Sequence, residues 1–234
     1  MQMQTKLIQC GRTIYVFDYN RRKRIEEFGF EQKQNRYGLL DFKRLLLSNF
    51  DSKYIPTMFT LKSTLADYKK LKTNLHAFIK SVSKLSTHNI IKYLAILELP
   101  VEQNSNTIYV HCITDANIGY IGNLEDINTS MLEEEYLSNL WGNDVSIGVY
   151  NIKELVDKLA TIYLNSIHSQ VFNNIGNPII TNRLNTPIIK WNRCAENHIR
   201  SLDLMNQTIT YSDEFYDKKA GFVHITEYYL ETTN

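Results

Sequence analysis

Residues 90–99 read IIKYLAILEL and run straight into Pro100. This run narrows the fold more than any other part of the chain. It is far too short to span a membrane and too uniformly apolar to be a half-exposed strand. It is rich in residues that favour strands, and the proline ends it. The segment VEQNSN at 101–106 follows as a turn, and IYVHCI within 107–114 returns as a second strand. The expected product is an antiparallel hairpin at the centre of a sheet. Successive strand side chains point to opposite faces. Tyr109 and His111 therefore share one face, and Val110 and Cys112 the other. On the first strand, Leu94, Ile96 and Glu98 share a face.

The rest of the chain supplies helices and further strands. TIYVFDY at 13–19 alternates as a strand does, and PTMFTL at 56–61 reads as another. LLDFKRLLLS at 39–48 has the look of a helix. Over 64–85 the residues Leu65, Tyr68, Leu71, Leu75, Phe78, Val82 and Leu85 recur at three- and four-residue spacing, which predicts a helix with one apolar stripe. A short helix is expected at 130–140, with Ser130 as N-cap and Glu133 at the capping-box position. VSIGVY at 145–150 is a strand. Residues 152–172 form a second long helix, with Leu155, Leu159, Ile162, Tyr163 and Ile167 on one face. Gly176, Asn177 and Pro178 mark a break. GFVHITEYYL at 221–230 closes the chain as a strand. The order is that of an α+β fold with a central antiparallel sheet and helices packed on it. Residues 1–175 read as the principal domain, and 176–234 as a C-terminal extension packing on it.

Composition sets the outer limits. The hydrophobic fraction of 43% and charged fraction of 22% are those of an ordinary globular protein. MQMQTKLIQCGR lacks a signal-peptide core, and Cys10, Cys112 and Cys194 make neither a disulfide framework nor a zinc pattern. The expectation is a cytoplasmic protein with no membrane contact. The net charge of +1 conceals an imbalance. Residues 1–85 hold seventeen Lys and Arg against seven Asp and Glu, whereas residues 86–234 hold nine against eighteen. Two readings follow: a polyanion-binding lobe on an acidic body, or two lobes that attract one another. Arg21, Arg22, Lys23 and Arg24 form a basic run, and Lys43, Arg44, Lys62 and Lys69 add to the candidate phosphate contacts.

Two features can carry chemistry. If the hairpin register brings Glu98 near His111, a carboxylate and an imidazole meet on one sheet face, a pair able to hold a divalent cation. The plainer reading is an exposed carboxylate at a strand end and a hydrogen-bonded sheet histidine. Tyr163 offers a phenol that can attack phosphorus. Its place on the apolar stripe equally suits a core tyrosine.

The order of these segments resembles that of rolling-circle replication initiators of plasmids and phages, whose nuclease domain is the histidine–hydrophobic–histidine (HUH) endonuclease fold. TIYVFDYNRRKR is similar to their opening strand and basic segment, TMFTLKS to their T-L-T-F strand, and YLAILELP to the strand bearing their glutamate. IYVHCI stands where their two-histidine motif falls. LWGNDVSIGVYNI resembles their W-G-x-V-x-I segment, IYLNSI their Y-x-x-K helix, TNRLNTPIIK their S-R-N-L-K-x-P segment, and GFVHITEYYL their closing strand. The resemblance implies single-stranded or hairpin DNA as partner and Mg²⁺ or Mn²⁺ as cofactor. It implies Glu98 and His111 as metal ligands, and Tyr163 as the nucleophile that becomes linked to the 5′-phosphate.

The departures fall in the site itself. Tyr109 stands at the first histidine position, and a neutral phenol is a poor ligand for either ion. Ser166 replaces the lysine of Y-x-x-K, and Thr60-Leu61-Lys62-Ser63 replaces part of T-L-T-F. Asp115, just past the second strand, is an alternative oxygen ligand. Two functions follow: an initiator-like DNA-binding protein that nicks through Tyr163, or an inactive relative acting as a regulator or inhibitor. The second would bind nucleic acid or a protein partner, the latter through the acidic residues Asp213, Glu214 and Asp217.

Overall fold

The computed structural model describes residues 3–19, 32–33, 36–51, 56–84, 92–100, 106–115, 127–169, 172, 177–217 and 221–231. The strands are β1 (Gln4–Cys10), β2 (Thr13–Tyr19), β3 (Gln32–Lys33), β4 (Arg36–Tyr37), β5 (Thr57–Thr64), β6 (Tyr93–Glu98), β7 (Thr107–Thr114), β8 (Val145–Val149), β9 (Ile179–Asn182), β10 (Ile188–Trp191), β11 (Thr208–Asp217) and β12 (Gly221–Tyr229). The helices are α1 (Leu39–Phe50), α2 (Tyr68–Ser83), α3 (Ile127–Trp141), α4 (Ile152–His168) and α5 (Arg193–Ser201). The fold is α+β, with two five-stranded antiparallel sheets.

The chain divides into two compact units, Tyr54–Leu184 and the two ends together, Met1–Lys53 with Asn185–Asn234. The expected division at residue 175 is therefore replaced by one near 184. Strand pairing is the reason. β9 pairs with β6, whereas β10, six residues further on, pairs with β1. The two chain ends thus share the sheet β10-β1-β2-β12-β11. Asn49 and Asn185 fasten the return. The Asn49 Nδ2 donates to the Asn185 carbonyl at 2.9 Å, and the Asn185 N–H donates back to Asn49 Oδ1 at 2.7 Å. Gly11, at φ +60°, makes the tight β1–β2 turn, and a Cβ there would lie 2.5 Å from the Leu47 carbonyl oxygen.

In the continuous unit the strand order is β8-β5-β7-β6-β9, so the hairpin of β6 and β7 is central, as its apolar sequence requires. One sheet face carries Phe59, Leu61, Val110, Cys112, Tyr93, Ala95 and Leu97. These pack on Leu71, Leu75, Phe78, Ile79 and Val82 of α2 and on Leu137 of α3. Phe78 stands edge-on between Phe59 at 5.6 Å and Trp141 at 5.7 Å. The Trp141 indole N–H donates to the Lys62 carbonyl at 2.6 Å, which ties the end of α3 to β5. α3 also covers the free edge of β8. Ser138 Oγ accepts from the Val145 N–H at 3.0 Å, and Glu134 Oε1 accepts from the Ile147 N–H at 3.0 Å. α3 begins at Ile127, so Ser130 lies inside it rather than at its cap. α4 ends at His168 rather than near 172.

Candidate functional site

The opposite face of this sheet is the one expected to hold chemistry. Register places Thr60 of β5, His111 of β7 and Ile96 of β6 in one row. Lys62, Tyr109 and Glu98 form the next row. Glu98 and His111 meet, the outcome that spacing had left dependent on the hairpin register. His111 Nε2 lies 2.6 Å from Glu98 Oε2, and His111 Nδ1 lies 3.2 Å from Thr60 Oγ1. An ionised carboxylate only accepts, so Nε2 carries the proton and Nδ1 accepts from the Thr60 hydroxyl. His111 is buried, and burial lowers its pKa against the opposing pull of the Glu98 hydrogen bond and charge. The positive charge of Lys158 on α4 lowers it further.

This pair is a hydrogen bond rather than a chelate. Two ligands of one octahedral Mg²⁺ or Mn²⁺, each about 2.1 Å from the ion, stand roughly 3 Å apart. Both imidazole nitrogens already have protein partners. Among the described residues no group of three His, Cys, Asp or Glu side chains converges on one point. Asp115 does not complete a set, because its Oδ1 accepts from the Lys92 N–H at 2.6 Å, at the opposite end of β6 from Glu98. The donors as they stand do not fit a resident Mg²⁺ or Mn²⁺. Tyr109 lies beside His111 with ring centroids 6.5 Å apart.

α4 runs along β6 and is started by Asn151, whose side chain accepts from the Lys153 N–H at 3.0 Å. Its buried stripe is Leu155, Val156, Leu159, Ala160, Ile162, Tyr163 and Ser166. Tyr163 has no exposed surface. Ser166, at the lysine position of Y-x-x-K, is buried as well. Its hydroxyl reaches the carbonyls of Leu97 at 2.6 Å and Ile162 at 2.8 Å. A lysine there would bury its ammonium in the helix–sheet junction. Tyr163 is thus a core tyrosine in this conformation, and its phenol does not face a bound strand.

A different tyrosine reaches the polar face. Gly148 lies opposite Met58 on β5, on the same sheet face as the Ser146–Thr60 pair and one row along from it. The Tyr150 ring folds over Gly148. A Cβ added there would lie 2.8 Å from both Cζ and the phenol oxygen, and would collide with Cε2. Lys158 Nζ donates to the Tyr150 hydroxyl at 3.1 Å and stands 4.6 Å from the ring centroid. Sequence reasoning missed this pair. Gly148 inside a strand pattern, with an aromatic two residues on, was the available signal.

Of the proposed phosphate contacts within the continuous unit, Lys62 and Lys69 are carried on opposite faces of the sheet. Lys62 belongs to the polar face, with its Nζ 3.1 Å from Asp144 Oδ2 and its side chain 42% exposed. Lys69 is exposed on α2, which packs on the other sheet face. Lys43 and Arg44 are on α1 in the other unit. Arg44 is buried, paired with Asp41 at 3.3 Å and placed over the Tyr15 ring, so its guanidinium does not present to a phosphate. The apolar positions around it in LLDFKRLLLS turn it inward. Arg21, Arg22, Lys23 and Arg24 lie outside the described residues.

No family model, no curated protein and no solved structure matches this chain.

Proposed function

We propose that this chain is a replication-initiator-like protein that binds single-stranded DNA at the polar end of the Glu98–His111 face of its central sheet, beyond the buried Met58, Leu94, Ile96 and Ile113. The observation that carries the reading is the meeting of Glu98 and His111 on that face, flanked by Lys62 on β5 and Lys158 on α4. The two lysines supply phosphate-neutralising charge, and Tyr109 and Tyr150 supply rings for bases to stack on. The order of segments shared with the initiators supports the same reading.

Binding rather than cleavage through Tyr163 is the favoured activity. That phenol is wholly buried, and Glu98 and His111 are bonded to each other rather than joined by a third ligand. If a strand is cleaved on this face, Tyr150 is the phenol placed to contact it, with Lys158 on its oxygen.

The test is fluorescence anisotropy with a labelled single-stranded oligonucleotide at several salt concentrations. Affinity is expected to fall steeply as salt rises, by about 0.7 in log–log slope for each phosphate contact. No binding at low salt sinks the reading. A parallel incubation with and without Mn²⁺ looks for a covalent protein–DNA adduct and maps it by peptide mass. None is expected on Tyr163. An adduct on Tyr163 would overturn the assignment of that residue to the core.

A further inference from the structure

The hairpin of β11 and β12 carries a surface that DNA binding does not use. Among the described residues β11 pairs only with β12, so it is an edge of its sheet. Edge strands are usually blunted by lysine or proline. The segments TITYSDEFYD and GFVHITEYY contain neither lysine, arginine nor proline. Every residue from Thr208 to Tyr216 is exposed. Tyr216 and Phe222 face each other across the two strands as an edge-on pair 5.3 Å apart, and they are 66% and 70% exposed. Two large rings left open side by side form an exposed aromatic patch.

The chemistry of the neighbours selects the occupant. On the face of Tyr216, two residues back along β11, stands Glu214, which pairs with His224 at 3.3 Å. On the other face Tyr211 donates to Asp213 Oδ2 at 2.8 Å. Each face of the edge strand therefore presents an aromatic ring with a carboxylate beside it. That combination suits an arginine or lysine, whose charge is met by the carboxylate and whose cation stacks on the ring. These carboxylates repel phosphate, which favours a basic peptide over a nucleic acid strand along Tyr211–Tyr216. A second copy offering the same strand would set these carboxylates against their own kind.

We infer that β11 is the docking edge for an extended, basic segment of a partner protein, added as a sixth strand of the sheet. Side chains of an added strand alternate between the faces, and main-chain hydrogen bonds to the edge supply affinity. At Glu214 the N–H donates to Asp213 Oδ1 at 2.8 Å, a contact the incoming strand displaces.

The experiment titrates the full chain with synthetic peptides by calorimetry. One peptide alternates arginine with valine, a second replaces arginine by glutamate, and a third carries prolines that prevent strand pairing. The arginine peptide is expected to bind at least tenfold tighter than either control. Its affinity is expected to fall at least tenfold in the Y216S/F222S and D213N/E214Q double variants, which alter only exposed side chains. Equal binding of the proline peptide, or no binding of the arginine peptide, overturns the inference. So does sedimentation showing a dimer that Y216S/F222S dissolves, because the occupant is then a second copy. Loss of single-stranded DNA affinity in Y216S/F222S would assign the surface to nucleic acid and overturn it likewise.

Discussion

At the scale of single residues, two of the described groups, His111 and Lys6, are buried where their charged forms are disfavoured. His111 is kept neutral by burial and by Lys158, against the pull of Glu98. Its folded pKa is lowered, so the unfolded chain takes up a proton first as pH falls. Stability from this group is complete above the usual histidine range and is lost as pH drops below about 6.5. Urea unfolding at pH 7.5 and 5.0 is expected to show a loss that is smaller in His111→Gln. Lys6 is fully buried in the other sheet, its Nζ lacks a hydrogen bond, and it sits 4.6 Å from the Trp191 ring. Burial, and the charge of Arg44, lower its pKa to about 8. Below that value it is charged in both states, and the cost of burying the charge persists. From about 8 up to the ordinary lysine range the unfolded chain retains a proton the folded one has shed, so stability rises with pH. Lys6→Met is expected to raise stability at neutral pH by on the order of 1 to 3 kcal/mol. Thermal unfolding checks it.

At the scale of elements, the helices and central strands were legible because their periodicity is strong. α2 follows the apolar stripe read from its spacing, and β7 has the limits expected of it. The site was half legible. Strand alternation put Tyr109 with His111 and Glu98 with Ile96, and only the register brings the two sets onto one face. What sequence did not disclose is how far α4 sinks its stripe, since Leu159, Tyr163 and Ser166 are spaced alike for a core or for a site. Three of the edge strands were missed for a different reason, whereas β8 was read. β9 and β10 are four residues each, and β11 mixes acidic and aromatic residues on both faces, so none has clean alternation. Two substitutions test this level. Ser166→Lys, which restores the lysine of Y-x-x-K, is expected to destabilise by about 3 kcal/mol or more without producing an adduct on Tyr163. Gly148→Val is expected to push the Tyr150 ring off the sheet and weaken DNA binding severalfold while the melting temperature changes little. Anisotropy and circular dichroism together read it.

At the scale of the whole molecule, the charge imbalance along the chain does not become a basic lobe and an acidic one. Residues 1–53 share a unit with 185–234, and that unit holds sixteen Lys and Arg against thirteen Asp and Glu. The continuous unit holds ten against twelve. Charge is mixed by the pairing of the chain ends, which no local pattern announces. Any recognition of DNA must then rest on local groups rather than on the net field of a lobe. Among the described residues no helix is long and apolar enough to cross a membrane.

The proposed DNA site is the Glu98–His111 face of the central sheet. Its most direct test compares single-stranded DNA affinity in the K62E/K158E double variant with that of K69E, whose lysine projects from the helix on the opposite face. At least a tenfold loss and a salt slope shallower by about 1.4 are expected for the double variant, with K69E close to wild type. An equal or larger loss in K69E, or unchanged binding in K62E/K158E, would contradict it.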